Sequence, residues 1–578
     1  MSLPNIHLDL NEFFEIAKLD DAVSVDTEST GLRVREYDYA IGISFSALVQ
    51  GQYFSTYVPY RGHAVDDILA TDEDKIVVSE FFKNYDGHIT FFNALFDLAS
   101  LRTLGINYKG KFYCTQVIWH LLNENKPYKK SLDGHADMYL DGDSKKNDDR
   151  FKALVTAYGW SKVPLEQMSI YAEYDAVLTR ALWEKAKPGF ESEDLHEVWE
   201  YKQKFIRVID AMITRGIKVD VDFCNSYAKS GRYLLEELNE TVGGNIGSPS
   251  FLKELLIDKL KLPVVKESSK TGKPSFDKYA MEIYEQTLER MDNPLAHRIL
   301  EYRGWQKAVS SCYEPYVSLL SADGRLRTEY KLFGTVTGRM SSAGPNLQQI
   351  PRNSKNEWNG KVKKAFIAED GYVLVEADFA QLELRLATAY ANEESLKEVF
   401  QEGRDIFTEM SGPLEMERHD TKTFVYSVQY GAGLNRISTV FNVSMDHAQE
   451  IRQRYYDAYP GFRKMSQHAA SVCKRKRKIK LWSGRYRHFE RPSEEGHKAF
   501  NSVIQGGAAD IVERTMIRLF DEVDCDDCRM LLQVHDSVVF EIKENRVDEF
   551  KEKIKTVMED VQPDFGVVFK VDVHNWGE

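Results

Sequence analysis

The sequence predicts an α/β domain at the amino terminus, followed by a larger α+β region made of more than one domain. Three observations favour this arrangement. Residues 1–190 contain strand-like apolar runs and then helical segments. Residues 191–320 are rich in long, charged amphipathic helices. After residue 320, two apolar, strand-like runs lie on either side of a long helical segment.

Length and composition agree with several folded domains. A chain of 578 residues predicts roughly three or four domains, and 43% hydrophobic residues allow sizeable cores. The first residues lack a basic segment followed by an apolar one, and no apolar run approaches the length of a membrane span. We therefore expect a soluble, cytoplasmic protein with no membrane partner, and we expect it to be a monomer.

Carboxylates recur in three segments of the amino-terminal domain. In VSVDTESTGL, Asp26 and Glu28 lie two residues apart, on one face of a predicted strand. Asp97 follows in TFFNALFDLASL, and Tyr171 and Asp175 lie one helical turn apart in SIYAEYDAVLTRALW. Four carboxylates can hold two magnesium ions, and a tyrosine hydroxyl can orient the attacking water. Each spacing alone is also common on solvated faces.

Two aspartates lie at polar breaks in the apolar runs after residue 320. Asp378 lies in YVLVEADFAQLELRLA and Asp536 in MLLQVHDSVVFEI, and both runs are typical of buried strands. A buried carboxylate is costly unless it is paired or binds a metal. If both strands belong to one sheet, the aspartates form a site for two divalent cations that stabilises displacement at phosphorus. The alternative is two unrelated strands whose aspartates cap turns.

The segment RHDTKTFVYSVQYGAG between these runs predicts a helix with a charged and aromatic face. Arg418, Lys422 and Tyr426 are spaced by four residues and therefore share that face, with Tyr430 following. The two cations suit the phosphates of a nucleoside triphosphate, and the ring can stack on base or sugar. The alternative is an ordinary amphipathic helix with a solvated basic edge.

The net charge of −14 by itself argues against a nucleic-acid partner. However, metal sites concentrate carboxylates and a basic cleft can coexist with an acidic surface, so the distribution of charge matters more. The clearest basic run is Lys474, Arg475, Lys476, Arg477 and Lys478, with Lys480, Arg485 and Arg487 after it. The run predicts contacts to phosphates, or alternatively a solvated helix or hairpin.

Six scattered cysteines predict no disulfide framework. Cys525 and Cys528 form a lone CxxC in DEVDCDDCRM, with no second ligand pair nearby. This pattern favours a hairpin turn before the strand of Asp536 over a zinc site.

In this order, the segments resemble the motifs of DNA polymerase family A, the DNA polymerase I type. VEADFAQLELR resembles the family's motif A, RHDTKTFVYSVQYG its motif B and QVHDS its motif C. TVTGRMSSAGPNLQQIP resembles the primer-template segment, NSVIQGGAAD the helix near the template, and NWGE a familiar ending of such polymerases. The amino-terminal carboxylates and Tyr171 resemble the three motifs of the DEDDy 3′–5′ exonucleases, which precede the polymerase in this family.

The resemblance implies a ribonuclease H-like α/β exonuclease domain followed by an α+β right-hand polymerase. Its parts would be the exonuclease at 1–190, the thumb at 191–320, the palm at 321–398 and 501–578, and the fingers at 399–500. The implied activity is template-directed addition of deoxynucleotides to a primer 3′ end, with 3′–5′ proofreading. The implied partners are primer-template DNA and deoxynucleoside triphosphates, together with a replisome helicase or a single-strand-binding protein.

The resemblance also implies roles for individual residues. Each active site would hold two Mg²⁺ ions, or Mn²⁺ in their place, on these ligands: Asp378, the Phe379 carbonyl and Asp536 in one, and Asp26, Glu28, Asp97 and Asp175 in the other. The incoming nucleotide would be bound by Gln381, Glu383, Arg418, Lys422, Tyr426 and Tyr430. Among these, Lys422 would protonate the pyrophosphate, Glu383 would exclude ribonucleotides, and Tyr430 would stack near the templating base. The primer-template would contact Arg339, Asn501, Gln505 and His535, besides the basic run from Lys474 to Arg477.

Three positions depart from the family pattern. Ser537 follows the motif C aspartate where glutamate is usual, which puts a third carboxylate in doubt. Phe407 stands where histidine is frequent, so that one contact to the triphosphate is lost. Tyr426 stands where many bacterial members have phenylalanine, and it predicts that dideoxynucleotides are accepted.

The chain begins almost at the exonuclease, without the 5′-nuclease domain of many bacterial relatives, and the thumb is short. These features predict a bacteriophage replicative enzyme that works in the cytoplasm of a bacterial host. Two alternatives stay open. A single-subunit RNA polymerase shares the palm and its two aspartates, but it would lack the exonuclease motifs, and Glu383 argues against ribonucleotide use. A non-catalytic DNA-binding protein would be expected to have lost metal carboxylates, and here only the Ser537 position has changed.

Overall fold

The structure is a computed structural model of the chain. It describes the following residues: 3, 5–62, 68–126, 129–140, 149–268, 271–291, 293–332, 334–351 and 361–577. Over these ranges, no helix is both long enough and apolar enough to cross a membrane.

The amino-terminal part is a mixed sheet with helices packed on it. Its strands are β1 (Asn5–His7), β2 (Ala22–Ser29), β3 (Ala40–Val49), β4 (Gln52–Pro59), β5 (His88–Phe91) and β6 (Phe112–Cys114). They lie in the order β1–β4–β3–β2–β5–β6, with β2 antiparallel to β3 and parallel to β5. The helices are α1 (Leu10–Ala17), α2 (Asp72–Asn84), α3 (Ala94–Thr103), α4 (Thr115–Leu122), α5 (Leu132–Tyr139), α6 (Asp149–Tyr158) and α7 (Leu165–Ser192). β2 and β3 are buried over most of their length, because helices pack on the sheet that they form.

The next part is mainly helical, as predicted. Its helices are α8 (His196–Arg215), α9 (Val221–Val242), α10 (Pro249–Leu252), α11 (Lys278–Arg290), α12 (Leu295–Ala308) and α13 (Glu314–Ser318), with π-helical turns at Lys253–Lys259 and Val309–Tyr313. α9 packs closely on α12 because Gly231 has no side chain; a Cβ there would lie 2.9 Å from the Trp305 ring. One short strand, β7 (Ile217–Val219), lies between α8 and α9, and further short strands follow α13: β8 (Arg325–Leu326), β9 (Glu329–Lys331), β10 (Ser341–Ala343) and β11 (Phe366–Ile367). β7 pairs with β8 and β11 and so ties these helices to the rest of the chain.

A helical insertion follows strand β12 (Tyr372–Phe379). Its helices are α14 (Leu382–Ala391), α15 (Glu394–Gln401), α16 (Ile406–Leu414), α17 (Arg418–Gln429), α18 (Leu434–Phe441), α19 (Met445–Ala458), α20 (Pro460–Lys476) and α21 (Pro492–Glu495), with a hairpin of β13 (Lys478–Lys480) and β14 (Tyr486–His488). The insertion has its own apolar core, in which Phe407, Phe424 and Tyr455 are almost fully buried.

The chain then returns to the sheet that β12 began. The long helix α22 (Ala499–Glu522) leads to β15 (Cys528–Val534), β16 (Ser537–Lys543), α23 (Val547–Glu559) and β17 (Val571–Asn575). The strands form one antiparallel sheet in the order β15–β16–β12–β17. The apolar face of β12, with Val375, Ala377 and Phe379, joins the core that includes α22 and α23. Because side chains alternate along a strand, the opposite face carries Glu376 and Asp378.

Candidate active sites

The first site lies in the amino-terminal sheet. Asp26 and Glu28 lie two residues apart on β2, and Asp175 reaches them from α7, which packs across β2 and β3. One carboxylate oxygen from each of the three lies within 4.8 Å of the others. Glu28 and Asp175 are buried and Asp26 is half-buried. Charges so close together, with little water, repel each other strongly, and hard oxygen ligands at this spacing suit a divalent cation.

Asp97 lies outside this group of three, in the first turn of α3, and it adjoins the group through Asp26. It is buried and accepts a hydrogen bond from the Thr27 hydroxyl at 2.8 Å. Burial, followed by the charge of Asp26, raises the pKa of Asp97 well above its usual range. A bound cation would act in the opposite direction and favour the ionised carboxylate. Thr27 was not predicted to belong to this site, although it lies between Asp26 and Glu28 in the sequence.

Tyr171 lies one helical turn before Asp175 on α7. Its ring stacks on Phe151, with centroids 4.0 Å apart and planes 2° from parallel, and Trp160 meets it edge-on. Burial, and then the charges of Glu28 and Asp26, raise the pKa of Tyr171. The hydroxyl therefore stays protonated at neutral pH and can hydrogen-bond to a water at the carboxylates.

The second site lies on the antiparallel sheet. Asp378 is on β12, where it is paired with Ser537 of β16 on one side and Asp572 of β17 on the other. The backbone N–H of Phe379 donates to the Asp536 carbonyl at 3.4 Å, which brings Asp536 beside the end of β12. Like charges directly opposite each other in a sheet repel, and Asp378 and the exposed Asp572 occupy such opposite positions. Mg²⁺ fits this oxygen-rich set and would relieve the repulsion.

One prediction about this site was wrong: Asp536 is not within a strand. It lies in the two-residue turn between β15 and β16, so only Asp378 is carried by a strand. His535, the first turn residue, has φ 57°, the hand that such tight hairpin turns prefer. Its carbonyl accepts from the Gln533 side-chain amide, which stabilises the turn. The aspartate is thus 27% exposed at the tip, where a ligand can reach it.

Glu383 is held on both sides beside this turn. Nη2 of Arg339 lies 2.6 Å from Glu383 Oε1 and 3.2 Å from Asp536 Oδ1. The Tyr430 hydroxyl donates to Glu383 Oε2 at 2.9 Å. Burial raises the pKa of Glu383, and the Arg339 charge opposes that shift. Gln381, at the start of α14, has φ 54°, and this left-handed residue turns the chain from β12 into the helix that carries Glu383.

Helix α17 begins at Arg418, as predicted, and ends at Gln429, one residue before Tyr430. It places Arg418, Lys422 and Tyr426 around one buried ring. The two cationic groups each lie 5.9 Å from the centroid of Phe407, and the Tyr426 ring lies 5.8 Å from it. Phe407, which stands where the family frequently has histidine, therefore packs beneath the three side chains of this helix face. Arg418 donates to both oxygens of Asp405, at 2.9 and 2.7 Å, and this contact lowers the pKa of Asp405. Asp405 was not predicted to belong to this site.

The residues expected to contact DNA lie in two places. Asn501 and Gln505 are one turn apart on α22, both half-buried, and His535 and Arg339 line a cavity of about 50 Å³ that also includes Asp536. The residues of the basic run that end α20 and follow it are exposed: Lys474, Arg475, Lys476 and Arg477.

Two later cations of that run are buried and cannot contact phosphates as the run predicted. Arg485 donates to Asp510 on α22 at 2.7 Å, and Arg487 donates to Glu124 at 2.6 Å. A buried guanidinium needs a carboxylate partner, and both partners come from distant parts of the sequence. Glu124 lies just after α4, so Arg487 joins the amino-terminal part to the helical insertion.

The CxxC forms the predicted turn. Cys525 and Cys528 exchange backbone hydrogen bonds on either side of it, and Cys528 begins β15. All six cysteines lie in the described part of the chain and are free thiols there.

The chain is similar to known proteins along its length. The sequence model of the 3′–5′ exonuclease family matches residues 5–189, and that of DNA polymerase family A matches residues 223–578. The chain is 32% identical to the thermostable DNA polymerase I of Thermus thermophilus over 416 residues, which are 67% of this chain and 49% of that protein. It is 27% identical to DNA polymerase I of Chloroflexus aurantiacus over 589 residues, 96% of this chain and 61% of the relative.

The chain thus spans about half the length of the Thermus relative. Its fold is similar to that of the POL domain of Pol1 from M. smegmatis, which was solved in complex with DNA primer-template and dNTP. The TM-score is 0.83 at 21% sequence identity, and the match covers 99% of both chains.

Proposed function

Because the chain belongs to DNA polymerase family A and carries a 3′–5′ exonuclease domain before its polymerase domain, we propose that it copies a DNA template and removes mispaired 3′ ends. The observation that carries this proposal is the presence of two separate acidic centres. One contains Asp378 and Asp536, and the other contains Asp26, Glu28 and Asp175. Synthesis with proofreading needs a centre for nucleotidyl transfer and a second one for hydrolysis.

Mg²⁺ would be held by Asp378, Asp536 and the Phe379 carbonyl in the polymerase centre, and by the four carboxylates in the exonuclease centre. When bound, Mg²⁺ lowers the pKa of the attacking hydroxyl or water and stabilises the leaving group. The fold of the chain holds these metal ligands in place. β12 fixes Asp378, and the Phe379 N–H fixes the turn that carries Asp536.

Arg418 and Lys422 would bind the triphosphate. The Lys422 ammonium is exposed on α17, so it can reach the phosphates and protonate the pyrophosphate as it leaves. Arg418 already holds Asp405 in a bidentate contact. A triphosphate offers more negative charge than one carboxylate, and it would draw the guanidinium from Asp405. Tyr426 and Tyr430, with ring centroids 6.2 Å apart, would face the sugar and the templating base.

In the exonuclease centre, Tyr171 would orient the attacking water. Its hydroxyl stays protonated, and the stacked Phe151 ring fixes its direction. This arrangement supports the DEDDy class, in which a tyrosine accompanies four carboxylates.

The proposed division of the chain is exonuclease 1–190, thumb 191–320, palm 321–398 with 501–578, and fingers 399–500. It is supported by the sheet that β12 forms with β15, β16 and β17 and by the separate core of the helical insertion. The exposed cations at the end of α20 would then contact the phosphates of the template or duplex. A helicase or single-strand-binding partner, a monomeric state and a bacteriophage source in a bacterial cytoplasm stay predictions.

Primer extension tests the proposal. Purified protein with primer-template, Mg²⁺ and deoxynucleotides should extend the primer, and without nucleotides it should shorten a single strand from its 3′ end. Extension with ribonucleotides instead would indicate an RNA polymerase. DNA binding with neither reaction, in either Mg²⁺ or Mn²⁺, would indicate a non-catalytic DNA-binding protein and refute the proposal.

A further inference from the structure

Glu376 is a buried carboxylate close to the polymerase centre. It precedes Asp378 by two residues on β12, so both side chains emerge from the same face of the sheet. Glu376 is only 7% exposed, and its neighbours across the sheet are Val539 and His574. A carboxylate at this depth needs partners, and those partners indicate what it does.

One oxygen of Glu376 lies close to the Lys363 ammonium and to the imidazole of His574. Nζ of Lys363 lies 2.5 Å from Oε2, and Nε2 of His574 lies 3.4 Å from the same atom. Lys363 is fixed in turn by Trp576. Its ammonium lies 4.3 Å from the Trp576 ring centroid, and its carbonyl accepts from the indole N–H at 2.8 Å. Lys363 therefore holds Oε2 of Glu376 in a fixed position.

The other oxygen of Glu376 faces the turn that carries Asp536. The Ser537 hydroxyl lies 3.0 Å from Glu376 Oε1 and 2.9 Å from the Val534 carbonyl, so it can donate to either. Val534 and Ser537 are the residues on each side of the turn. Ser537 also lies directly opposite Asp378. When the hydroxyl donates to Glu376, it ties this carboxylate to Ser537, which begins β16 directly after the turn and lies opposite Asp378.

We propose that Glu376 is a positioning residue of the polymerase metal site, acting through Ser537 to hold Asp536 at a fixed distance from Asp378. The proposal rests on the proposed polymerase function. Ser537 stands where the family usually has glutamate, and Glu376 supplies a carboxylate to the same spot from the neighbouring strand. Groups that orient metal ligands typically change metal affinity by about 10–100-fold when removed.

The competing explanation is that Glu376 is only half of a buried ion pair that stabilises the sheet. Glu541 is a matched control for that explanation. It lies on β16 of the same sheet, is fully buried, and pairs with Arg325 at 3.3 Å and Arg529 at 3.4 Å. It is paired with Leu374, at the end of the strands away from the turn. Glu541→Gln therefore removes a buried charge without touching Asp536 or Ser537.

The experiment measures Mn²⁺ binding by electron paramagnetic resonance. It uses the full chain carrying Asp26→Ala and Glu28→Ala, so that exonuclease ions do not contribute. A dideoxy-terminated primer-template and the matching deoxynucleotide keep the site loaded without reaction. We expect Glu376→Gln to weaken Mn²⁺ binding about tenfold, at the low end of the range for ligand-orienting groups, and Glu541→Gln to change it less than twofold.

Ser537→Ala provides a second variant, because a hydroxyl is removed with little change of volume. It should weaken Mn²⁺ binding in the same direction by less than Glu376→Gln does. The double variant should bind no more weakly than Glu376→Gln alone, since both act through one contact. Three results would overturn the proposal. The first is an equal loss of Mn²⁺ affinity in Glu376→Gln and Glu541→Gln, and the second is additive losses of affinity in the double variant. The third is Mn²⁺ binding within twofold of the parent in both Glu376→Gln and Ser537→Ala.

The proposed function can fail separately from this inference. If the parent protein with an unblocked primer does not extend it, the polymerase assignment is wrong. If the parent extends the primer and the Glu376 and Ser537 variants bind Mn²⁺ as the parent does, only the positioning role is wrong.

Discussion

Changing Tyr430 to phenylalanine removes one hydroxyl and keeps the aromatic ring. That hydroxyl donates to Glu383 Oε2 at 2.9 Å, while Arg339 holds Oε1 at 2.6 Å. The resemblance to family A polymerases implies that Glu383 would pack under the sugar 2′ position and exclude ribonucleotides. Without the tyrosine contact the carboxylate can move away from the sugar. We therefore expect Tyr430→Phe to incorporate ribonucleotides more readily than the parent.

The contacts of Glu383 set the size of this effect. A hydrogen bond to a charged group is worth about 1.5–3 kcal/mol. If all of it serves sugar selection, discrimination falls by about 10- to 150-fold, at about 1.4 kcal/mol for each factor of ten. Arg339 still holds one oxygen in the variant and limits the movement. The expected loss is therefore near the lower bound, at about tenfold.

The assay is single-nucleotide incorporation, with kcat/KM measured for a deoxynucleotide and the matching ribonucleotide in the Asp26→Ala background. Tyr426→Phe is the matched control, because it removes the same group from a ring 6.2 Å away. It should leave the ratio of ribonucleotide to deoxynucleotide use within about twofold. An unchanged ratio in Tyr430→Phe, or an equal change in both variants, would refute the argument that this hydrogen bond positions Glu383.

Three further predictions concern other parts of the molecule. Asp378→Ala should abolish primer extension and keep 3′–5′ degradation of single strands, and Asp26→Ala should do the reverse; loss of both activities in either folded variant would contradict two independent centres. The parent should accept dideoxynucleotides almost as well as deoxynucleotides in a chain-termination assay. Tyr426→Phe should reject dideoxynucleotides by about 1–3 kcal/mol, the cost of an unpaired polar group. Equal rejection by both proteins would be the contrary result. Arg485→Met should lower the free energy of unfolding by about 3–5 kcal/mol, because it leaves Asp510 buried without its cationic partner, with only the Ser483 hydroxyl bond. Asp510→Leu in the same chain should recover part of the loss. Urea unfolding measures both, and a midpoint unchanged by Arg485→Met would show that the pair is not needed.

Much of each site could be predicted from local sequence alone. The two-residue spacing of Asp26 and Glu28 places them on one face of a strand, and the four-residue spacing of Arg418, Lys422 and Tyr426 places them on one face of a helix. These periods follow from backbone geometry and need no knowledge of distant contacts. The order of the motifs then predicted the two domains, which the matches to both families confirm.

Contacts between distant segments were decided only by the tertiary structure. Arg485 and Arg487 belong to a basic run in the sequence, yet Asp510 and Glu124 bury and neutralise them. The apolar residues on both sides of Asp536 predicted one buried strand with a polar break, whereas in the structure that break is a two-residue turn between two strands.

The setting of Glu376 shows the same limit most clearly. Its sequence neighbours indicate only a polar residue in a strand. Its meeting with Ser537 and His574 depends on which strands lie beside β12 and in which register. Local sequence specifies the period of each element, but strand order and register come from burying all elements in shared cores, so pairs far apart in the chain become visible only in the folded protein.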